Sequence, residues 1–131
     1  MVVRTFIATV ALSLITMLSG AARAAEAEPC SLGSRFPVQS VTPYNTFEDA
    51  GYTTYYQFRG AEVMVPAQPG LTREWLQRVV SYQIATGACD LGAHNVMVSV
   101  LPAGGAFSVR LSGADENAAR AILAHARDLV K

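Results

Sequence analysis

Between Asn95 and Leu101 apolar and polar residues alternate. Val96, Val98 and Val100 fall on one side, and Asn95, Met97 and Ser99 on the other. The alternation returns downstream, with Phe107, Val109 and Leu111 opposed by Ser108 and Arg110. A period of two is the signature of a half-buried strand. Pro102-Ala-Gly-Gly105 between the two runs predicts a hairpin, one face dry and the other exposed or lightly covered. Upstream, Tyr52-Thr-Thr-Tyr-Tyr-Gln-Phe58 is aromatic and β-branched, and Tyr52, Thr54, Tyr56 and Phe58 share a side. Glu62-Val-Met-Val-Pro66 reads as a returning strand, with Arg59-Gly60 as the tight turn, because glycine accepts positive φ. One long strand bulged at Gly60 is the competing reading.

Two segments carry the helical period. Trp75, Leu76, Val79, Val80 and Ile84 recur at three- and four-residue steps, while Arg73, Gln77, Arg78 and Ser81 fall opposite. Thr72 is the expected cap, Glu74 suits the positive end of the dipole, and Gly87 is the expected stop. The second helix starts from Asp115 as cap. Its stripe is Ala118, Ala119, Ile122, Leu123, Ala126, Leu129 and Val130, and Lys131 sits at its negative end.

The order is strand, strand, helix, strand, strand, helix. It predicts an α+β, two-layer domain, ββαββα, with one antiparallel sheet and two amphipathic helices on one face. A duplicated ββα unit and a permuted ferredoxin-like sheet satisfy the same element list.

The longest apolar run, Phe6 to Leu18, lies outside this pattern. Arg4 precedes it, and Ser-Gly-Ala-Ala-Arg-Ala24 follows with small residues at the cleavage positions. Residues 1–24 read as a cleavable secretory signal peptide, which addresses the chain to a bacterial periplasm. The run is shorter than the roughly 20 residues a spanning helix needs, which argues against a retained anchor, and with no later spanning segment or polybasic patch no membrane association is expected after cleavage. Residues 25–50, with Ser, Gly, Pro, Gln and Asn at short intervals from Cys30 on, are expected to be an extended N-terminal segment with at most a helical turn at Thr46–Asp49. Residues 51–131 form the single domain.

Charge narrows the partners. The chain has 10 Lys and Arg and 10 Asp and Glu. Loss of Arg4 and Arg23 with the signal tips the balance to about −2, with no basic run. Nucleic-acid binding, which needs a positive footprint, is not expected. The export signal also sets the reading of Cys30 and Cys89. In an oxidising compartment they are expected to form a structural disulfide, because redox chemistry wants two thiols in one turn.

Candidate chemistry is sparse. Tyr44, Tyr52, Tyr55, Tyr56 and Phe58 form an aromatic group, and tyrosine suits a recognition face. Tyr55, Tyr56 and Arg59 are the candidate binding residues, with Arg59 at the expected hairpin tip; ordinary sheet packing is the competing account. His94, His125, Met64 and Met97 could supply a soft copper site, but a metal site wants three or four ligands and methionine in a regular strand more often serves packing. Asp90 and His94 share a loop, but no Gly-x-Ser-x-Gly elbow accompanies them. No catalytic residue, metal ligand or cofactor is assigned.

Val65-Pro-Ala-Gln-Pro-Gly-Leu-Thr-Arg-Glu-Trp-Leu-Gln-Arg78, Gly105-Ala-Phe-Ser-Val-Arg110 and Ala118-Ala-Arg-Ala-Ile-Leu123 resemble a loose set of small, uncharacterised bacterial secreted α+β proteins. The resemblance covers about residues 61–131. It implies a compact α+β domain and no catalytic residues. The leading expectation is a non-enzymatic periplasmic binding or accessory protein, for instance an inhibitor, with a protein partner or a homodimer. Periplasmic copper handling and a small hydrolase are the alternatives.

Overall fold

A computed structural model describes residues 30–130. The signal segment and the acidic stretch before Cys30 lie outside the described residues. Six elements follow: β1 (Ser40–Asp49), β2 (Thr54–Pro66), α1 (Arg73–Thr86), β3 (Met97–Pro102), β4 (Ala106–Ser112) and α2 (Glu116–Asp128). The strands form one antiparallel sheet in the order β1-β2-β4-β3. β2 and β3 therefore run parallel on either side of β4, and α1 carries the chain between them. The two-layer ββαββα architecture is the expected one.

Its first half is built differently from the expectation. There is no turn at Arg59-Gly60. β2 runs straight through both residues, so the bulged long strand is the correct reading. Tyr44 pairs with Gly60 and Asn45 with Phe58, leaving Arg59 as the extra residue. Gly60 is required for a reason other than turning. A Cβ there would lie 2.0 Å from the Leu111 carbonyl oxygen of β4. The real turn is Ala50–Thr53, closed by the Ala50 N–H donating to the Thr53 carbonyl at 3.0 Å. The other strand of this hairpin is β1. It comes from the segment expected to be merely extended and includes Thr46–Asp49, expected as a helical turn.

Register defines two faces. Ala61 sits between Leu111 and Pro43, and Val63 between Val109 and Val41. Val98 and Val100 continue these rows onto β3. This inner face is dry: Ala61, Val63, Val65, Val100, Val109 and Leu111 are buried. α1 adds Leu76 and Val80, and α2 adds Ala119, Ile122 and Ala126. Burial of such side chains stabilises by roughly 1.5–3 kcal/mol each before entropy is counted.

Local signals at the helix ends hold. Thr72 Oγ1 accepts from the Trp75 N–H at 3.2 Å, and Asp115 Oδ1 from the Ala118 N–H at 2.7 Å. Gly87 ends α1 in the left-handed region at φ 84°. The Glu74 carboxyl is held below the ordinary glutamate range by its own backbone N–H and by Arg73. The buried side of α1 is rotated from the expected stripe: Trp75 is half exposed, and Gln83 is buried instead.

Gln83 is buried because it anchors the N-terminal segment. Its Oε1 accepts from the Ser31 N–H at 2.8 Å, and its Nε2 donates to Ser31 Oγ at 2.8 Å. The disulfide Cys30–Cys89 closes beside this pair, with a Cα–Cα distance of 4.7 Å. Leu32 and Phe36 then enter the same core as the inner-face valines, and Gly33 abuts the Leu129 backbone past the end of α2. The start of the described chain thus completes the helix layer.

Candidate functional site

β4 pairs with β2 only from Gly60 to Pro66. β1 continues to pair with β2 beyond that point, through Asn45↔Phe58 to Asp49↔Thr54. The far half of this hairpin is therefore a two-stranded arm projecting past the four-stranded sheet. It starts at the Arg59 bulge, where the Gly113 N–H makes the last bond from the β4 side, to the Arg59 carbonyl at 2.8 Å.

The arm carries most of the large exposed rings. Phe47 is 66% exposed, Tyr55 56%, Tyr56 71%, and Tyr52 in the turn is fully exposed. Phe47 and Tyr56 are directly paired and lie on the inner-face side of the sheet. Their ring centroids are 4.6 Å apart at a tilt of 57°, a favourable aromatic geometry. Tyr55, opposite Glu48, points to the other side. The turn end is acidic, through Glu48 and Asp49, and Asp49 Oδ1 accepts from Thr54 Oγ1 at 3.3 Å.

Of the residues singled out in sequence, Tyr55 and Tyr56 both lie on this arm and both are exposed. Arg59 is not at a tip. It marks the base of the arm, half-buried, and its Nε donates to Thr46 Oγ1 at 3.4 Å on the Tyr55 side. Phe47 is the ring that sequence reasoning missed. Once residues 46–49 are read as a helical turn, Phe47 has no strand partner. Its place next to Tyr56 follows only from the β1–β2 register.

The outer face of the sheet has a different character. Arg110 Nε meets Glu62 Oε2 at 3.2 Å, and the Arg110 guanidinium carbon lies 5.2 Å from the Tyr44 ring centroid. Tyr44 faces Gly60, which has no side chain to cover it. Thr42, Ser99 and the exposed Met97 complete a mostly polar surface.

The metal and hydrolase candidates are not assembled in this way. Met64 aligns with Ser108 and Leu101, whereas Met97 aligns with Ser112 and Gly60. Two strand spacings and four residues of rise separate them by more than ~15 Å. His125 Nδ1 is 2.8 Å from the Ala121 carbonyl, with its ring against Gly92. Among the described residues no three His, Cys, Asp or Glu side chains form a metal-holding group. Asp90 and His94 line one cleft, and His94 and Ser81 line its neighbour. No hydrogen bond joins them, and Asp90 Oδ1 instead accepts the Gly92 N–H at 2.8 Å in a loop turn. No helix among the described residues is long and apolar enough to cross a membrane. The chain matches no family model, no curated protein and no solved structure.

Proposed function

We propose that this chain is an exported, non-enzymatic binding or accessory protein of the bacterial periplasm, and that the β1–β2 arm is its contact surface. The observation that carries the reading is the placement of Phe47, Tyr52, Tyr55 and Tyr56 on a two-stranded ribbon clear of the core. A lone hairpin in water is marginally stable. Clustered exposed rings mark interaction sites in soluble proteins, and tyrosine is enriched where binding energy concentrates. These rings are not needed to fill the core, which the inner-face valines and the helices already close. Inhibition of an envelope enzyme is a concrete form of this function, with the narrow arm entering a cleft.

The test is capture from periplasmic extract on immobilised chain, with Tyr55→Ala plus Arg59→Ala as the paired control. Capture of one discrete species by the wild type, lost in the control while its circular dichroism is retained, supports the reading. No species above background, or equal capture by the control, refutes the arm as the surface.

A further inference from the structure

β3 closes the side of the sheet opposite the β1–β2 arm, and α1 packs along it. Two clefts lie between the helix and this strand edge. One, of about 590 Å³, is lined by Arg73, Gln77, Arg78 and Ser81 of α1 and by Ser99 and Leu101 of β3. The other, of about 380 Å³, is lined by Ser81, Ile84 and Ala85 and by Val96 and Val98. Ser81 belongs to both, so they adjoin as one groove beside the strand. Gln77, Ser81, Ile84 and Ala85 share a flank of the helix by their spacing, and the small Ser81 and Ala85 leave room there.

The backbone beside this groove has hydrogen-bonding capacity to spare. Gln77 stands in for a neighbouring strand: its Nε2 donates to the Val98 carbonyl and its Oε1 accepts the Val100 N–H. Both bonds are 3.4 Å long, against about 2.9–3.0 Å for a usual N–H···O bond. Strand alternation turns the Val98 N–H and the Val100 carbonyl to the same side, and no strand among the described residues meets them. Gln77 is itself exposed, so its amide exchanges two long bonds for water at little cost.

Charge selects the occupant. Arg73 and Arg78 both line the cleft that Leu101 lines. The acid beside them, Glu74, meets Arg73 at 3.1 Å, and Arg78 has no ion pair among the described residues. The other cleft, apart from Ser81 and the exposed His94 and Asn95, is walled by apolar side chains.

We infer that this groove takes an extended segment of another protein, added to β3 as a further strand. A Glu or Asp side chain of that segment meets Arg78, and an apolar side chain packs against Ile84 and Val96. Main-chain bonds to Val98 and Val100 supply affinity, and the two unlike ends of the groove supply selection. This site is separate from the arm and goes beyond the contact surface proposed there.

The experiment is an NMR titration of the 15N-labelled, disulfide-closed chain beginning at Ala25. The probes are two end-blocked pentapeptides, Val-Thr-Val-Thr-Glu and Glu-Thr-Val-Thr-Val, which bring the acid to the Leu101 end in parallel or antiparallel addition. At least one is expected to give saturable shifts at the Val98 and Val100 amides and the Gln77 side chain, with a Kd below about 1 mM. Lys in place of its Glu should weaken binding about tenfold or more, and Arg78→Ala should bring the Glu and Lys forms to equal affinity. Gln77→Ala, which uncovers the edge, should bind at least as tightly as wild type. Tyr55→Ala plus Arg59→Ala should bind like wild type, so that failure here and failure of the arm are read apart. No saturable shift at Val98 and Val100, equal wild-type binding of the Lys form, or undiminished binding of a peptide N-methylated throughout overturns the proposal. Shifts at Val98 and Val100 on concentrating the chain alone would assign the edge to a second copy, and overturn it too.

Discussion

Replacing Gln83 by leucine tests how the segment that begins at Cys30 is fastened. The two side chains are similar in size, so the core around position 83 stays filled. What changes is polar. Ser31 and Gln83 are both buried, at 4% and 5% exposure, and exchange two bonds of 2.8 Å. Leucine leaves the buried Ser31 N–H without its acceptor and removes the donor to Ser31 Oγ. An orphaned buried polar group costs about 1–3 kcal/mol, so Gln83→Leu should cost about 2–4 kcal/mol. Ser31→Ala strands only the Gln83 Nε2 donor and keeps the backbone bond, at about 1–2 kcal/mol by the same reasoning. The double variant loses both side-chain partners together, so its cost should fall short of the sum by about 1–2 kcal/mol. Urea unfolding of all four proteins in the disulfide-closed form measures this, because the cross-link then cancels from every comparison. A neutral Gln83→Leu, or costs that simply add, would refute the claim that the amide fastens the segment.

Three other perturbations separate local causes. Cys30→Ala with Cys89→Ala releases a cross-link spanning a sequence separation of 59, and chain entropy puts the loss at about 4 kcal/mol; an unfolding midpoint in urea that does not move contradicts this. Gly60→Ala forces a Cβ onto the Leu111 carbonyl, so β2 and β4 must separate at the base of the arm. The expected cost is about 3 kcal/mol or more, read as a lowered Tm and faster amide exchange from Ala61 to Val65. Ser108 is buried on the outer face between Met64 and Leu101, and among the described residues its Oγ has no hydrogen-bond partner. Ser108→Ala should therefore stabilise by about 1 kcal/mol, and a destabilisation of that size would show that the hydroxyl is satisfied.

The C-terminal half was legible because its signals are local and redundant. Val98, Val100, Val109 and Leu111 alternate cleanly around Gly104-Gly105, and Thr72, Gly87 and Asp115 punctuate the helices where the chain uses them. β1 was illegible for a physical reason. An edge strand buries little, so Ser40 to Asp49 needs no strong alternation and tolerates Pro43 in mid-strand. The same weakness hid Phe47, whose significance depends on Tyr56 of another strand. Arg59-Gly60 misled because a bulge and a turn draw on the same glycine chemistry; the close approach of Leu111 is a long-range fact. Gln83 is a parallel case. A polar residue at a buried helical position looks like an error in the stripe until Ser31, distant in sequence, supplies its partner.

Placing Cys30 to Phe36 in the helix layer decides which surface is left to function. A segment of that length could have crossed the outer face and sealed it. Fastened at Cys89 and Gln83, it fills the inner side instead. The described residues leave the outer face accessible, yet its centre is occupied by the Arg110–Glu62 pair with Tyr44 against the guanidinium. Such a cluster is at ease in water and gains little from being covered, since removing charges from solvent is costly. The arm is the opposite case. Its rings are large and mostly apolar, and among the described residues β2 from Thr54 to Phe58 pairs with β1 alone. Of these two accessible surfaces, the arm is the one with more to gain from contact.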